Sequence, residues 1–101
     1  MKGNIEMRLS TTQHQAIKKY FLEVFKEGEI YLFGSRVDER RKGGDIDLYL
    51  RLKENKNLVR KKLDFLVKLK REIGQQKIDI VFDKNLNRPI DRVAMRDGVR
   101  L

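Results

Sequence analysis

Three aspartates stand where aspartate is uncommon. Asp45 and Asp47 are two residues apart in the alternating run DIDLYLRL, and Asp79 follows Ile78 in a second alternating run, KIDIVF. Strands are depleted in aspartate, and residues at i and i+2 point to one face with about 6.6 Å of backbone between them. If the two strands are neighbours, the aliphatic residues define the opposite face. We therefore expect Asp45, Asp47 and Asp79 to converge.

Three converging carboxylates have a chemical consequence. Neighbouring negative charges disfavour each other's ionised form unless a cation compensates them. Carboxylate oxygens suit Mg²⁺, which completes its shell with water and substrate phosphates. Two such ions, about 3.5 to 4 Å apart, activate an attacking oxygen and stabilise a leaving pyrophosphate. The alternative is that the aspartates only line the solvent face of a half-exposed sheet.

The dipeptide Gly34-Ser35 comes directly after a short apolar run, residues 29–33 (EIYLF). A glycine at the end of a strand allows close approach, and backbone N–H groups with a hydroxyl can hold a phosphate. Alone, such a dipeptide is more often a simple turn. Together with the aspartates it predicts a triphosphate site.

The segment between Ser35 and the first aspartate is strongly charged. Cations there can neutralise triphosphate charge, although a solvated loop explains them equally well; they are Arg36, Arg40, Arg41 and Lys42. Gly43-Gly44 would let the segment bend back into the next strand.

Two further side chains invite a functional role that we do not favour. Tyr49 shares the face of the aspartates, but cross-strand packing explains it better than contact with a base or an acceptor. His14 is the single histidine, and its place on the polar side of the first helix indicates an exposed residue. The sequence has no Ser-His-Asp set, HExxH helix or Walker-type loop.

Helical periodicity appears in three places. After possible caps at Ser10-Thr11-Thr12, apolar residues at helical spacing predict a helix that ends near Gly28. A second helix is predicted from about Glu54 to Ile73; its apolar positions are Val59, Leu63, Leu66 and Ile73, widened by Phe65 and Leu69. Pro89 stands at a plausible first position of a short terminal helix, with Gly98 near the end.

Strand patterns alternate with these helices. We predict strands over residues 29–33, 45–52 and 77–82. A strand, helix and strand in succession imply that the last two strands are parallel neighbours. The expected architecture is a mixed sheet with helices packed on it.

Composition sets the remaining limits. The chain has 101 residues, 40% of them hydrophobic, which suits one folded domain. It has no cysteine, which excludes disulfides, thiolate zinc sites and thiol nucleophiles. No apolar run reaches the roughly 20 residues of a membrane span, so we expect a soluble, cytoplasmic protein. A net charge of +9 favours anionic partners without choosing among them.

The run Leu32-Phe33-Gly34-Ser35, then Asp45-Ile46-Asp47-Leu48, and later Ile78-Asp79-Ile80, resembles the nucleotidyltransferase superfamily that includes polymerase beta. The resemblance covers about residues 10–98 and is greatest to the minimal nucleotidyltransferases, which act as antitoxins to helical HEPN-domain proteins. It implies an α/β (α+β) nucleotidyltransferase fold in the order α-β-α-β-α-β-α. It also implies an N-terminal extension over residues 1–9 before a domain over 10–101.

The resemblance also implies roles for residues. Asp45 and Asp47 would bind two Mg²⁺ ions, and Asp79 would complete one site and help to deprotonate the acceptor. Gly34, Ser35 and Arg36 would bind the nucleoside triphosphate. The implied reaction moves AMP from ATP to a HEPN-like helical toxin in a hetero-oligomer. Two alternatives stay open: an antitoxin that only binds its toxin, and nucleotidyl transfer to a small molecule or an RNA end.

Overall fold

The computed structural model describes residues 9–34 and 45–101. Within them the elements follow in the order α1 (Thr11–Phe25), β1 (Glu29–Phe33), β2 (Ile46–Arg51), α2 (Leu58–Ile73), β3 (Ile78–Phe82), α3 (Pro89–Asp97) and β4 (Val99–Arg100). The strands form one sheet in the order β3-β2-β1-β4. The predicted α/β (α+β) class, a small mixed sheet with helices packed on it, is confirmed.

The sheet mixes both strand directions. β2 and β3 are parallel, as the intervening helix α2 predicted, whereas β1 pairs antiparallel with both β2 and β4. The predicted order α-β-α-β-α-β-α needs one correction, because the chain continues after α3 into β4. Two residues are too few to show a period, so the sequence pattern missed this strand. A helix between β1 and β2 would fall on residues 35–44, outside the described residues.

The starts of α1 and α3 follow the predicted signals. The Ser10 hydroxyl accepts from the Gln13 N–H at 3.0 Å, and the Gln13 side chain accepts from the Ser10 N–H at 3.0 Å. α1 ends at Phe25, earlier than predicted, because Lys26 takes a left-handed conformation with φ 69°. Pro89 opens α3, as expected from its fixed φ and missing N–H.

The two faces of the sheet bury different sets of side chains. One face is aliphatic and packs on α1 and α2; it supplies Ile30, Leu32, Ile46, Leu48, Leu50, Ile78 and Ile80. On the other face, Phe33 and Tyr49 pack with Ala94 of α3. The sheet therefore lies between two helical layers, and α3 shares the face from which Asp47 projects.

The buried side of α2 is narrower than the predicted one. Phe65 and Leu69 are completely buried, whereas Val59 and Leu63 are exposed. A side chain of α2 also contacts α1, since Lys68 Nζ lies 2.9 Å from Glu23 Oε1. Leu66 and Ile73 are partly buried against the same core, so the predicted apolar pattern is confirmed at four of its six positions and is wrong at Val59 and Leu63.

The described residues contain no helix that is long and apolar enough to cross a membrane. Leu9, placed by prediction in an N-terminal extension, is partly buried against the main core. Residues 1–8 lie outside the described part of the chain.

Candidate functional site

Asp47 and Asp79 are direct partners in the parallel pairing of β2 with β3. Paired residues of adjacent strands lie about 4.8 Å apart and project from the same face. On the other side of Asp47, the paired residue is Phe33 at the end of β1. Asp79 is exposed and Asp47 is half-buried. Strand register thus brings together two of the three predicted carboxylates, at an accessible position.

Asp45 lies just before β2, two residues from Asp47. Its Oδ2 atom is 3.6 Å from Lys77 Nζ, just before β3, and both side chains are substantially exposed. The backbone fixes the same neighbourhood, since the N–H of Ile46 donates to the Lys77 carbonyl at 3.0 Å. Among the described residues, no three His, Cys, Asp or Glu side chains are grouped so that they could hold a metal ion. The expected three-carboxylate cluster is therefore present here as a pair, with Asp45 turned toward a lysine.

Gly34 directly follows β1 and adopts a φ of +78°, a conformation that L side chains rarely take. A Cβ atom built on Gly34 would lie 2.5 Å from Oδ2 of Asp47. The missing side chain at residue 34 therefore makes room for the Asp47 carboxylate itself. The other predicted triphosphate ligands, Ser35 and Arg36, lie outside the described residues, so their role stays a prediction.

The donor atoms at this position suit a hard divalent cation. Asp47 and Asp79 project from adjacent positions of paired strands, and Gly34 has no side chain that would displace the Asp47 carboxylate. The ion pair between Asp45 and Lys77 is a weak obstacle, because exposed pairs contribute only about 0 to 1 kcal/mol. The residues therefore fit Mg²⁺ once Asp45 turns away from Lys77.

Tyr49 is buried next to the carboxylate pair. It follows Asp47 by two residues on the same face and is completely buried. Its hydroxyl donates to Asp91 Oδ1 at 2.8 Å, and the Phe33 ring meets its ring edge-on at 6.3 Å. Burial raises the pKa of Tyr49, and the bond to Asp91 adds to the rise. The packing interpretation of Tyr49 is confirmed.

Asp91, in the first turn of α3, connects Tyr49 to that helix. Besides Tyr49, the Asp91 carboxylate accepts from Nε and Nη2 of Arg88, both at 2.9 Å, and from the Arg88 backbone N–H at 2.7 Å. Nη2 of Arg88 also donates to the Phe82 carbonyl at 2.8 Å. The Arg88 guanidinium holds the pKa of Asp91 below its usual range. This Tyr49–Asp91–Arg88 network fixes α3 over the sheet face that bears the carboxylates.

The Tyr49–Asp91–Arg88 network was not predicted from the sequence. An acidic residue in the first turn of a helix that begins with proline is a recognisable signal, and Asp91 fits it. Nothing local indicates that its partner is Tyr49, which is 42 residues away.

A polar cavity of about 410 Å³ opens elsewhere. Its lining includes Glu29 at the start of β1, Arg51 at the end of β2 and Asp83 just after β3. Asp47 and Asp79 stand at the opposite ends of their strands. This cavity is therefore separate from the carboxylate pair.

The expectation that His14 is exposed is wrong. The ring is partly buried, and its Nε2 atom has no hydrogen-bond partner among the described residues. The polar side of α1 is partly covered at this position, which periodicity alone did not indicate.

Similarity to known proteins is independent evidence on the function of this chain. Residues 14–100 match the family model described as a nucleotidyltransferase domain. No curated protein matches the chain. The matched range includes every site residue named above, from Gly34 to Asp79.

Proposed function

The chain belongs to the nucleotidyltransferase domain family, and from that premise we propose that it transfers AMP from ATP to a hydroxyl group of a partner protein. Nucleotidyl transfer in general is the activity of the family. We assign this activity to the carboxylate site because Asp47 and Asp79 are paired in register and Gly34 lies against the Asp47 carboxylate. The donor, the acceptor and the ions below belong to the proposal.

In the proposed site, Asp45 and Asp47 would hold two Mg²⁺ ions, and Asp79 would be a further ligand to one of them. When bound, the ions supply charge compensation for the attacking oxygen and the leaving pyrophosphate. The chain itself holds these ligands in a fixed arrangement, because strand pairing fixes Asp47 relative to Asp79. Tyr49, which is buried on the same face two residues from Asp47, stabilises this arrangement.

The proposed step is an in-line displacement at the α-phosphorus of ATP. The acceptor hydroxyl oxygen forms the new bond to phosphorus, while the bond to the oxygen that bridges to the β-phosphate breaks. Pyrophosphate leaves with that bridging oxygen, and the hydroxyl proton passes to the exposed Asp79 carboxylate. Gly34, Ser35 and Arg36 bind the triphosphate through backbone N–H groups, a hydroxyl and a guanidinium.

We further propose that the acceptor is a helical HEPN-type toxin in a hetero-oligomer in the cytoplasm, with this chain as its antitoxin. A net charge of +9 supports an anionic partner surface. The exposed Asp79 supports an acceptor that approaches from outside the fold.

A second candidate, an antitoxin that inhibits by binding alone, has one observation in its favour. Asp45 pairs with Lys77, and no three-acid metal group occurs among the described residues. In that case the aspartates would be retained without catalysis.

The deciding experiment incubates the protein with ATP, Mg²⁺ and the product of the adjacent gene, and measures the partner by mass spectrometry. We expect the partner to gain one AMP, and Asp47→Asn to abolish the gain. Asp97→Asn is the matched control, because Asp97 is an exposed aspartate at the end of α3, paired with Arg96. A tight complex without added mass would contradict catalysis and support the binding-only candidate. Added mass on RNA or a small molecule would show that this molecule, and not the partner protein, is the acceptor.

A further inference from the structure

α2 carries a row of exposed apolar side chains. Val59, Leu63 and Val67 are exposed to 76%, 59% and 49%, respectively. Their i, i+4, i+8 spacing places them along one side of the helix over about 12 Å. We call these three residues the α2 stripe. The buried side of the same helix, with Phe65 and Leu69, is already occupied by the core.

Basic side chains border the α2 stripe. The helix contains six Lys or Arg and two Asp or Glu. At helical spacing, Arg71 continues the row one turn beyond Val67, Lys62 and Lys70 lie along one border, and Arg60 and Asp64 lie along the other. Within the described part of the chain, the four basic residues form no ion pair. With four basic side chains and one acidic side chain around it, the apolar row has a margin of net positive charge.

We propose that the α2 stripe docks an amphipathic helix of a partner protein whose apolar side chains are bordered by carboxylates. Burial of the row favours an apolar counterpart, and the margin selects acidic residues around it. A second copy of this chain fits poorly, because its own margin would place Lys and Arg against Lys and Arg. Nucleic acid fits poorly as well, because the stripe has no aromatic side chain on which a base could stack.

The proposal goes beyond nucleotidyl transfer. α2 packs on the aliphatic face of the sheet, whereas Asp47 and Asp79 project from the other face. A helix docked on α2 would therefore leave the carboxylate pair accessible. Docking and catalysis can fail independently, and separate measurements distinguish them.

The probe is a synthetic, fluorescently labelled helical peptide with leucine at i, i+4 and i+8 and glutamate on both borders. Anisotropy titrations with the full chain measure its affinity. Leu63→Glu should weaken binding at least about tenfold, because leucine burial is lost and a carboxylate then faces carboxylates. Val59→Glu should act in the same direction. Leu86→Glu is the matched control, since Leu86 is 61% exposed outside α2 and should change the affinity less than about twofold.

The contribution of the basic margin and the identity of the partner are tested separately. The double variant Arg60→Glu and Arg71→Glu should weaken binding about tenfold and reduce its salt dependence. Equal binding of a peptide with lysine borders, or no effect of Leu63→Glu on a protein still folded by circular dichroism, would overturn the proposal. Two other results would also overturn the proposal. One is self-association of the chain that is lost in Leu63→Glu, and the other is binding to phosphatidylglycerol vesicles that displaces the peptide.

Discussion

The carboxylate of Asp47 occupies the space in which a side chain at residue 34 would begin. A Cβ atom on Gly34 would stand 2.5 Å from Oδ2 of Asp47, and the backbone there has a φ of +78°. Glycine at this position therefore meets two requirements at once: a left-handed backbone and close approach of an acidic side chain from the neighbouring strand.

Gly34→Ala should lower the free energy of unfolding by at least about 1 to 2 kcal/mol and abolish transfer. The physical reasons are backbone strain and displacement of the Asp47 carboxylate. Urea denaturation measures the stability. In an Asp47→Ala background the same substitution should cost less, because the contact is gone. Gly74→Ala is the control, since Gly74 also has a positive φ of +90° but no neighbour within 4 Å. Its cost should be equal in both backgrounds.

Lys77→Met should raise the affinity for Mg²⁺ in the presence of ATP by a few-fold, because Lys77 competes with the ion for Asp45. Isothermal titration calorimetry measures this affinity. Lys84→Met removes one positive charge beside the cavity at the opposite strand ends and serves as the control. An equal effect of both variants would mean that net charge, rather than release of Asp45, changes the affinity.

Asp91 should determine part of the loss of stability in acid. The Arg88 guanidinium lowers the pKa of Asp91 in the folded protein. Such a carboxyl adds stability above its unfolded pKa of about 3.9, and that stability is lost as the pH falls toward the lower, folded value. Asp91→Asn should therefore be less stable at neutral pH, and its free energy of unfolding should fall less steeply below about pH 4.

Urea denaturation between about pH 3 and about pH 7 tests this expectation. Asp97→Asn is a suitable comparison, because the pKa of Asp97 is also lowered, by Arg96, but the pair is exposed. Its effect should be smaller, since solvent screens exposed charges. Parallel acid profiles of the wild type and Asp91→Asn would contradict the assignment.

The two sides of α2 should respond differently to truncation. Phe65→Ala should cost about 3 to 5 kcal/mol, because the ring is completely buried. Leu63→Ala should change the free energy of unfolding by less than about 0.5 kcal/mol. Guanidinium denaturation of both variants checks the helix orientation. Similar costs would show that Leu63 faces the core after all.

Much of the site was predictable from local pattern. Alternation in DIDLYLRL and KIDIVF assigns Asp47 and Asp79 to the face opposite the aliphatic residues, and the crossover helix makes their strands parallel. The register that pairs Asp47 with Asp79 was not predictable, since a strand's own period leaves its alignment with a neighbour open. The Lys77 contact of Asp45 depends on that same alignment.

The sequence by itself determined the type of each main element, because the periods of helices and strands and the capping signals are properties of neighbouring residues. Only the tertiary structure decided which apolar side of α2 is buried, that Val99–Arg100 extends the sheet, and that Tyr49 bonds to Asp91. These features join residues far apart in the chain. Their free energy depends on packing between elements, which no local pattern contains.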